Sequence, residues 1–265
     1  MRRNGFLGLL FHALFLLFIA APLLAVIAVS FTDQGFISLP SHGLSLRWFR
    51  AIFDNDDILD AFWLSIRLGL CASTLAVVLA VPAALAIARY RFPGRGALSA
   101  FFMSPMMVPT VVLGIAFLRF FTLLHIGGAF WSLCLTHVVV ILPYALRLAL
   151  SAATGLDRDV ERAARAFGAG RLRTFQRVIL PMMRTGVVGG WVLAFIQSFD
   201  ELTMTIFVAT PGTTTLPVAM YNQIAQTIDP LVASVSTVLI FGTTVLMLVL
   251  DRLVGLDRVL IGETQ

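Results

Sequence analysis

The residues best placed to do chemistry are an acidic pair, Asp200-Glu201, set in an otherwise apolar stretch from Thr185 to Ala209. An ionisable side chain at membrane depth costs roughly 2.5–3.5 kcal/mol on insertion scales and by default faces a cavity or a partner. Two uses stay open. A carboxylate there can attract a cationic solute or help seal the gate it passes, or it can form a structural ion pair with Arg67 or Arg119. The pair lies about 16 residues beyond Arg184, roughly two-thirds across a bilayer at about 1.5 Å per residue. Adjacent helical positions point about 100° apart, so the two acids cannot both aim at one spot.

Other chemistry is sparse. Cys71 and Cys134 lie in apolar runs without CxxC spacing or a His/Cys cluster, and read as small packed hydrophobes. There is no GxSxG-type or HExxH motif and no second intramembrane aspartate to partner Asp200, so an intramembrane enzyme has little support. All 19 basic residues are arginine. A P-loop needs a lysine on the β/γ-phosphates, so this chain cannot hydrolyse ATP through one. Trp191, Gln197, His137, Tyr144 and the group Met103, Met106 and Met107 read as packing or interhelix hydrogen-bond residues.

These residues have to be positioned by membrane helices. The chain has 265 residues, 59% hydrophobic and 12% charged, against about 25% charged in soluble domains. About 20 apolar residues cross a bilayer core, and six stretches meet or approach that length: Phe6 to Phe31, Leu68 to Ala88, Ala97 to Leu118, about Ala129 to Leu146 and a turn beyond Arg147, Thr185 to Ala209, and Leu231 to Leu250. Pro22 lies in the first, Pro105 and Pro109 in the third. The first follows Arg2 and Arg3 as a signal peptide would, but an h-region is only about 7–15 residues. It is expected to stay as a signal-anchor helix. The expected fold is an all-α membrane protein forming a single transmembrane domain over 1–265, with the N-terminal helix at 6–31 and a core of about 62–254.

Arginine placement orients the spans, because short Arg-rich loops stay cytoplasmic. With the N-terminus inside, 15 of the 19 arginines are cytoplasmic, eight of them from Arg147 to Arg184. The first outer loop, about Thr32 to Ala61, is acidic. Both termini are then cytoplasmic. The net charge of +5 reflects this membrane asymmetry and no nucleic-acid surface.

The longest cytoplasmic segment, 151–184, separates spans four and five. Val160, Ala163, Ala164 and Phe167 make a small apolar stripe among Arg158, Glu161, Arg162 and Arg165. Asp157 or Asp159 can cap its start, and Gly168 and Gly170 break it. A second amphipathic run, Leu172 to Ile179, leads to Pro181 at the entry of span five. The pattern fits either close docking into a protein groove or a membrane-surface helix held on anionic headgroups.

A resemblance decides between these. Glu161-Arg162-Ala163-Ala164-Arg165-Ala166-Phe167-Gly168-Ala169, followed by Val178-Ile179-Leu180-Pro181, resembles the EAA motif of type-1 ABC importer permeases: Glu-Ala-Ala, three residues, Gly, nine residues, then Ile-x-Leu-Pro. Ala163, Ala164, Gly168, Leu180 and Pro181 fall on the pattern, Val178 takes the Ile place, and Arg162 occupies the Glu position with Glu161 one residue earlier. The resemblance implies six spans with a coupling helix in the insert between helices four and five, seated in a cleft of a cytoplasmic ATPase subunit. It also implies an ATPase dimer carrying ATP and Mg, a homologous second permease, a periplasmic substrate-binding protein, and a place in the bacterial inner membrane with no cofactor in this chain.

A second resemblance concerns the solute. Ser198-Phe199-Asp200-Glu201-Leu202-Thr203, Pro211-Gly212-Thr213-Thr214-Thr215-Leu216-Pro217, Tyr221-Asn222 and Ile228-Asp229-Pro230 are similar to the spermidine/putrescine branch of these permeases. Opine and aminophosphonate importers have similar stretches. The segment from Pro211 to Pro230 is expected to be a defined re-entrant or surface structure, and in the family that face receives the loaded binding protein. An ion-coupled secondary transporter would show repeats, interrupted helices and midplane carboxylates, and fits the coupling-type insert poorly.

Overall fold

The computed structural model describes residues 5–40, 43–227 and 229–254. Ile228 and, of the 15 arginines expected to be cytoplasmic, Arg2, Arg3 and Arg258 lie outside the described residues. Every regular element among the described residues is helical.

The chain divides into two compact units. One comprises residues 1–60 and 219–249. It holds α1 (Phe6–Ser30), α2 (Arg47–Phe53), most of α12 (Leu216–Gln226) and nearly all of α13 (Leu231–Val254). α1 is uncharged and largely exposed, as a helix facing lipid would be, and carries Pro22 in its interior. Its end is tied locally: Ser234 Oγ donates to the Ser30 carbonyl at 3.3 Å, Trp48 Nε1 to that of Gln34 at 3.1 Å, and the Phe31 and Phe49 rings lie 5.1 Å apart.

The other unit comprises 61–218 and, among the described C-terminal residues, 250–254. It holds most of α3 (Asp56–Arg89), α4 (Arg95–Met103), α5 (Thr110–Leu124), α6 (Phe130–Thr154), α7 (Arg158–Ala166), α8 (Arg171–Thr174), α9 (Leu180–Met182), α10 (Arg184–Phe199) and α11 (Thr205–Val208). α3 has Asp56 and Asp57 in its first turn and Arg89 in its last, the charges a helix dipole favours. Ala72, Ala76, Ala80 and Ala84, four apart, are fully buried and give α3 a flat face for close packing. α6 and α10 approach through Gly186 and Gly190: a Cβ at Gly186 would stand 2.8 Å from the Leu148 carbonyl oxygen. Small residues at i and i+4 permit this approach where no water drives association.

Among the described residues four helices are long and apolar enough to cross a membrane, Phe6–Ser30, Asp56–Arg89, Phe130–Thr154 and Leu231–Leu248; the number reaches six if each of two bent pairs is one span. The expected third span, Ala97 to Leu118, is not one helix. α4 runs into a 3₁₀ turn at Ser104–Met107, and α5 leaves at 101°. Pro105 and Pro109 lack the amide proton that a continuous helix needs, and Val108, preceding Pro109, is extended with ψ 131°. The expected fifth span, Thr185 to Ala209, is also broken. The chain bends by 71° between Met182 and Arg184, and α10 stops at Phe199. Pro181 lies within α9, just before the bend rather than at the entry of α10. α6 runs to Thr154, about one turn beyond the expected end of span four. The stretch from Pro211 onward folds as a 3₁₀ turn, Pro211–Thr213, and α12.

Candidate functional site

Two places hold the residues singled out by the sequence. The first is the insert. Asp157 caps α7, its carboxylate accepting the Asp159 amide at 2.8 Å. Glu161 pairs with both Arg89, at the end of α3, and Arg165 on its own helix. Arg158 Nη2 donates to the Arg89 carbonyl at 3.2 Å, giving that helix end a cationic donor. The side chains of Arg89 and Glu161 are 12% and 17% exposed, so α7 is docked on α3 through a largely enclosed pair. Arg162, at the pattern's Glu position, pairs only with Asp159, and both side chains are three-quarters exposed.

α7 ends in a Schellman turn. The Ala169 amide reaches the Ala164 carbonyl at 3.1 Å and that of Gly168 reaches Arg165 at 3.0 Å. Gly168 sits at φ +84°, a conformation in which a Cβ is strained. Ala163 is exposed and Ala164 half-exposed. Ala164, Phe167, Ala169, Arg173 and Arg177 line a cavity of about 320 Å³. Phe167 is 92% exposed and Leu172 68%. Thr174 and Ile179 are buried, whereas Leu180 is half-buried and Pro181 exposed.

The second place is the break after α10. Trp191, Phe195 and Phe199, four apart, stack at 5.8 and 6.0 Å. Their packing against α3 includes Phe62 edge-on to Phe199 and a hydrogen bond from Trp191 Nε1 to Thr74 Oγ1 at 3.1 Å, which is the packing role read for Trp191. α10 then stops. Asp200 is its C-cap and is exposed. Glu201 is 6% exposed, and its carboxylate accepts the Met204 amide (3.0 Å), the Thr205 amide (3.0 Å) and the Thr205 hydroxyl (2.9 Å). It thus supplies the acceptors that the first turn of α11 lacks. Among the described residues neither acid forms a salt bridge with Arg67 or Arg119; Arg67 Nε donates to the Trp63 carbonyl.

Fully buried His137 on α6 contacts both sides of the break, with Nδ1 2.9 Å from Ser198 Oγ and Nε2 3.0 Å from Thr205 Oγ1. Its interhelix hydrogen-bonding role was legible in a lone histidine within an apolar run; its partners were not. Cys71 and Cys134 are free thiols 3.6 Å apart in the packed interior, and no cluster of metal-ligating side chains occurs among the described residues.

Non-helical backbone at membrane depth is stable only when buried in protein or lining an aqueous cavity. The two acids differ accordingly: Glu201 satisfies buried backbone amides, whereas Asp200 is exposed.

Comparison with known proteins follows this geometry. The chain is 29% identical over 97% of its length to the spermidine/putrescine transport system permease protein PotC of Escherichia coli (strain K12), covering 94% of that protein. It is 30% identical over 84% of its length to that organism's putrescine transport system permease protein PotI, covering 82%. Its fold matches a chain of a bacterial ABC transporter involved in the import of the acidic polysaccharide alginate, with a TM-score of 0.78, 14% identity, and coverage of 95% and 98% of the two chains. Residues 76–256 match the family of binding-protein-dependent transport system inner membrane components, and the chain belongs to that family of membrane permeases.

Proposed function

We propose that this chain is the permease subunit of a type-1 ABC importer for a small cationic solute, a polyamine such as spermidine or putrescine. The observation that carries the solute class is Asp200: an exposed, unpaired carboxylate at a break in an apolar span, in a chain whose relatives are named for spermidine and putrescine transport. The alginate transporter shares the fold while importing an acidic polymer. Solute charge is therefore a matter of side chains such as Asp200, not of architecture.

In this reading the bent pair Arg95–Met107 and Thr110–Leu124 counts as one span and α10 with the stretch to Ala209 as another, giving six, and both termini are cytoplasmic. The insert 151–184 is the coupling element. Its Glu161 and Arg158 lock it to α3, while Ala163, Ala164, Phe167 and Gly168 meet the partner ATPase, and Leu180 and Pro181 join it to α10. ATP and Mg are held by that ATPase dimer, so this chain is a transport subunit without a cofactor. A homologous second permease and a periplasmic binding protein complete the assembly. Interrupted helices also occur in secondary transporters; family membership and the docked insert favour the importer.

The test is uptake of labelled spermidine by the assembled transporter carrying Asp200→Asn. Uptake efficiency is expected to fall about tenfold, as for loss of one desolvated charge contact. Unchanged uptake would remove Asp200 from the path. A thermal-shift screen of the partner binding protein against polyamines, opines and aminophosphonates separates the solute classes.

A further inference from the structure

We infer that His137 is a positioning residue for Asp200, a clasp that holds the two sides of the span-five break at a fixed relation. The inference rests on the reading of Asp200 as part of the solute path. Hydrogen-bond bookkeeping gives the clasp a direction. The Thr205 hydroxyl has one proton, and it is donated to Glu201 Oε2 at 2.9 Å. Thr205 Oγ1 can then only accept from His137, so Nε2 carries the ring proton. In a neutral imidazole Nδ1 is then an acceptor, and the Ser198 hydroxyl donates to it at 2.9 Å. The order is Ser198 to His137 to Thr205 to Glu201, every member a donor to the next.

Placement makes this chain mechanically specific. Ser198 belongs to the last turn of α10, two residues before Asp200, whereas Glu201 and Thr205 lie beyond the helix end. The single ring from α6 therefore spans the break with one nitrogen on each flank. All four residues are buried, with Ser198 at 3%, His137 and Thr205 at 0% and Glu201 at 6%. Any change of angle at the break that separates Ser198 from Thr205 must leave at least one buried polar group unpaired, which is strongly disfavoured. Asp200 sits between the clamped points and contributes nothing to the network. Its carboxylate is presented, not held.

The experiment uses the complete transporter with Cys71 and Cys134 replaced by alanine and Asp200→Cys introduced, and measures the rate at which a charged methanethiosulfonate labels position 200. Removing both arms with His137→Leu, or one arm with Ser198→Ala or Thr205→Val, is expected to change that rate at least about tenfold, while Thr205→Ser restores it. In parallel, with Asp200 intact, His137→Leu is expected to raise the KM for spermidine about tenfold, with a smaller change in maximal rate, the signature of displacement and not of lost assembly. Co-purification with the ATPase subunit reports assembly. If His137→Leu does not assemble, the one-arm variants decide. Labelling rates within twofold of the parent in assembled variants would overturn the clasp. Because labelling does not depend on the solute, a labelling change accompanied by normal uptake in Asp200→Asn would uphold the clasp and fail the polyamine-path reading alone.

Discussion

Glu161 and Glu201 are both enclosed carboxylates beside short helices, and they are satisfied in opposite ways. Glu161, in the insert, is held by two arginines and retains 17% side-chain exposure. Glu201, at the break, receives only backbone amides and a hydroxyl and is 6% exposed. The insert needs a joint that water can reach and that long flexible side chains can re-form, and guanidinium groups supply it. The break lies within an apolar span, where a guanidinium would itself need burial, so neutral donors carry the load and geometry replaces charge. The charged junction should therefore tolerate loss of one member better than the neutral one.

The largest effect is expected at Glu201. Glu201→Ala leaves two amides and a hydroxyl without acceptors in a buried site, and Glu201→Gln sets an amide donor against donors. Each unsatisfied group costs about 1–3 kcal/mol. Either variant should lower the melting temperature of the purified transporter and reduce assembled protein, by about 3 kcal/mol for Glu201→Ala. A Glu201→Ala protein as stable as the parent would show that the break does not depend on its carboxylate.

Next comes Gly168. With φ at +84°, Gly168→Val forces a β-branched residue into the left-handed region, a strain of about 1–2 kcal/mol. The Schellman turn should open, and co-purification with the ATPase subunit should fall more than the melting temperature does. Intact association together with intact ATP-driven uptake would break the coupling reading.

These two residues also mark how far the sequence could be read. Gly168 was legible because helix termination is local: a capped amphipathic run, then glycine, has few other solutions, and of the two caps the pattern allowed, Asp157 and Asp159, the fold uses Asp157. The family pattern was legible too, although it pointed to position 162 for the acid. The fold uses Glu161, which pairs with Arg89 at the end of α3, while Arg162 is exposed. The break at Glu201 was not legible. Span assignment averages hydropathy over about 20 residues, and a break of a few residues around Asp200 vanishes in that average. The acids were noticed as charges; that one serves as a helix cap rests on its hydrogen bonds to the Met204 and Thr205 amides, which hydropathy does not encode. Span three shows the intermediate case. Pro105 and Pro109 were visible, but the 101° bend they permit depends on what α5 packs against.

Glu161→Ala should cost less than the Glu201 change, about 1–2 kcal/mol, because Arg165, 48% exposed, is readily resolvated, while Arg89, 12% exposed, loses its partner. The same reasoning makes the effect salt-dependent, with parent and variant converging as ionic strength rises. Thermal melts at low and high salt would measure it, and a salt-independent loss comparable to that of Glu201→Ala would erase the distinction between the two regions.

The smallest effect is expected at the position where the family pattern has its acid. Arg162 and Asp159 form a pair one turn apart at 3.1 Å with both side chains about three-quarters exposed. Such pairs contribute little, because solvent screens the attraction and two long side chains must be ordered to make it. Arg162→Ala should leave the melting temperature within the equivalent of about 0.5 kcal/mol. Arg162 nevertheless lies on α7 beside the exposed Ala163, so the variant separates two quantities that Glu161→Ala mixes. If melting is unchanged and association with the ATPase subunit weakens, Arg162 faces the partner while Glu161 anchors the helix behind it. If melting falls by as much as in Glu161→Ala, the insert has no such division, and the contrast between an anchored inner face and an offered outer face is lost.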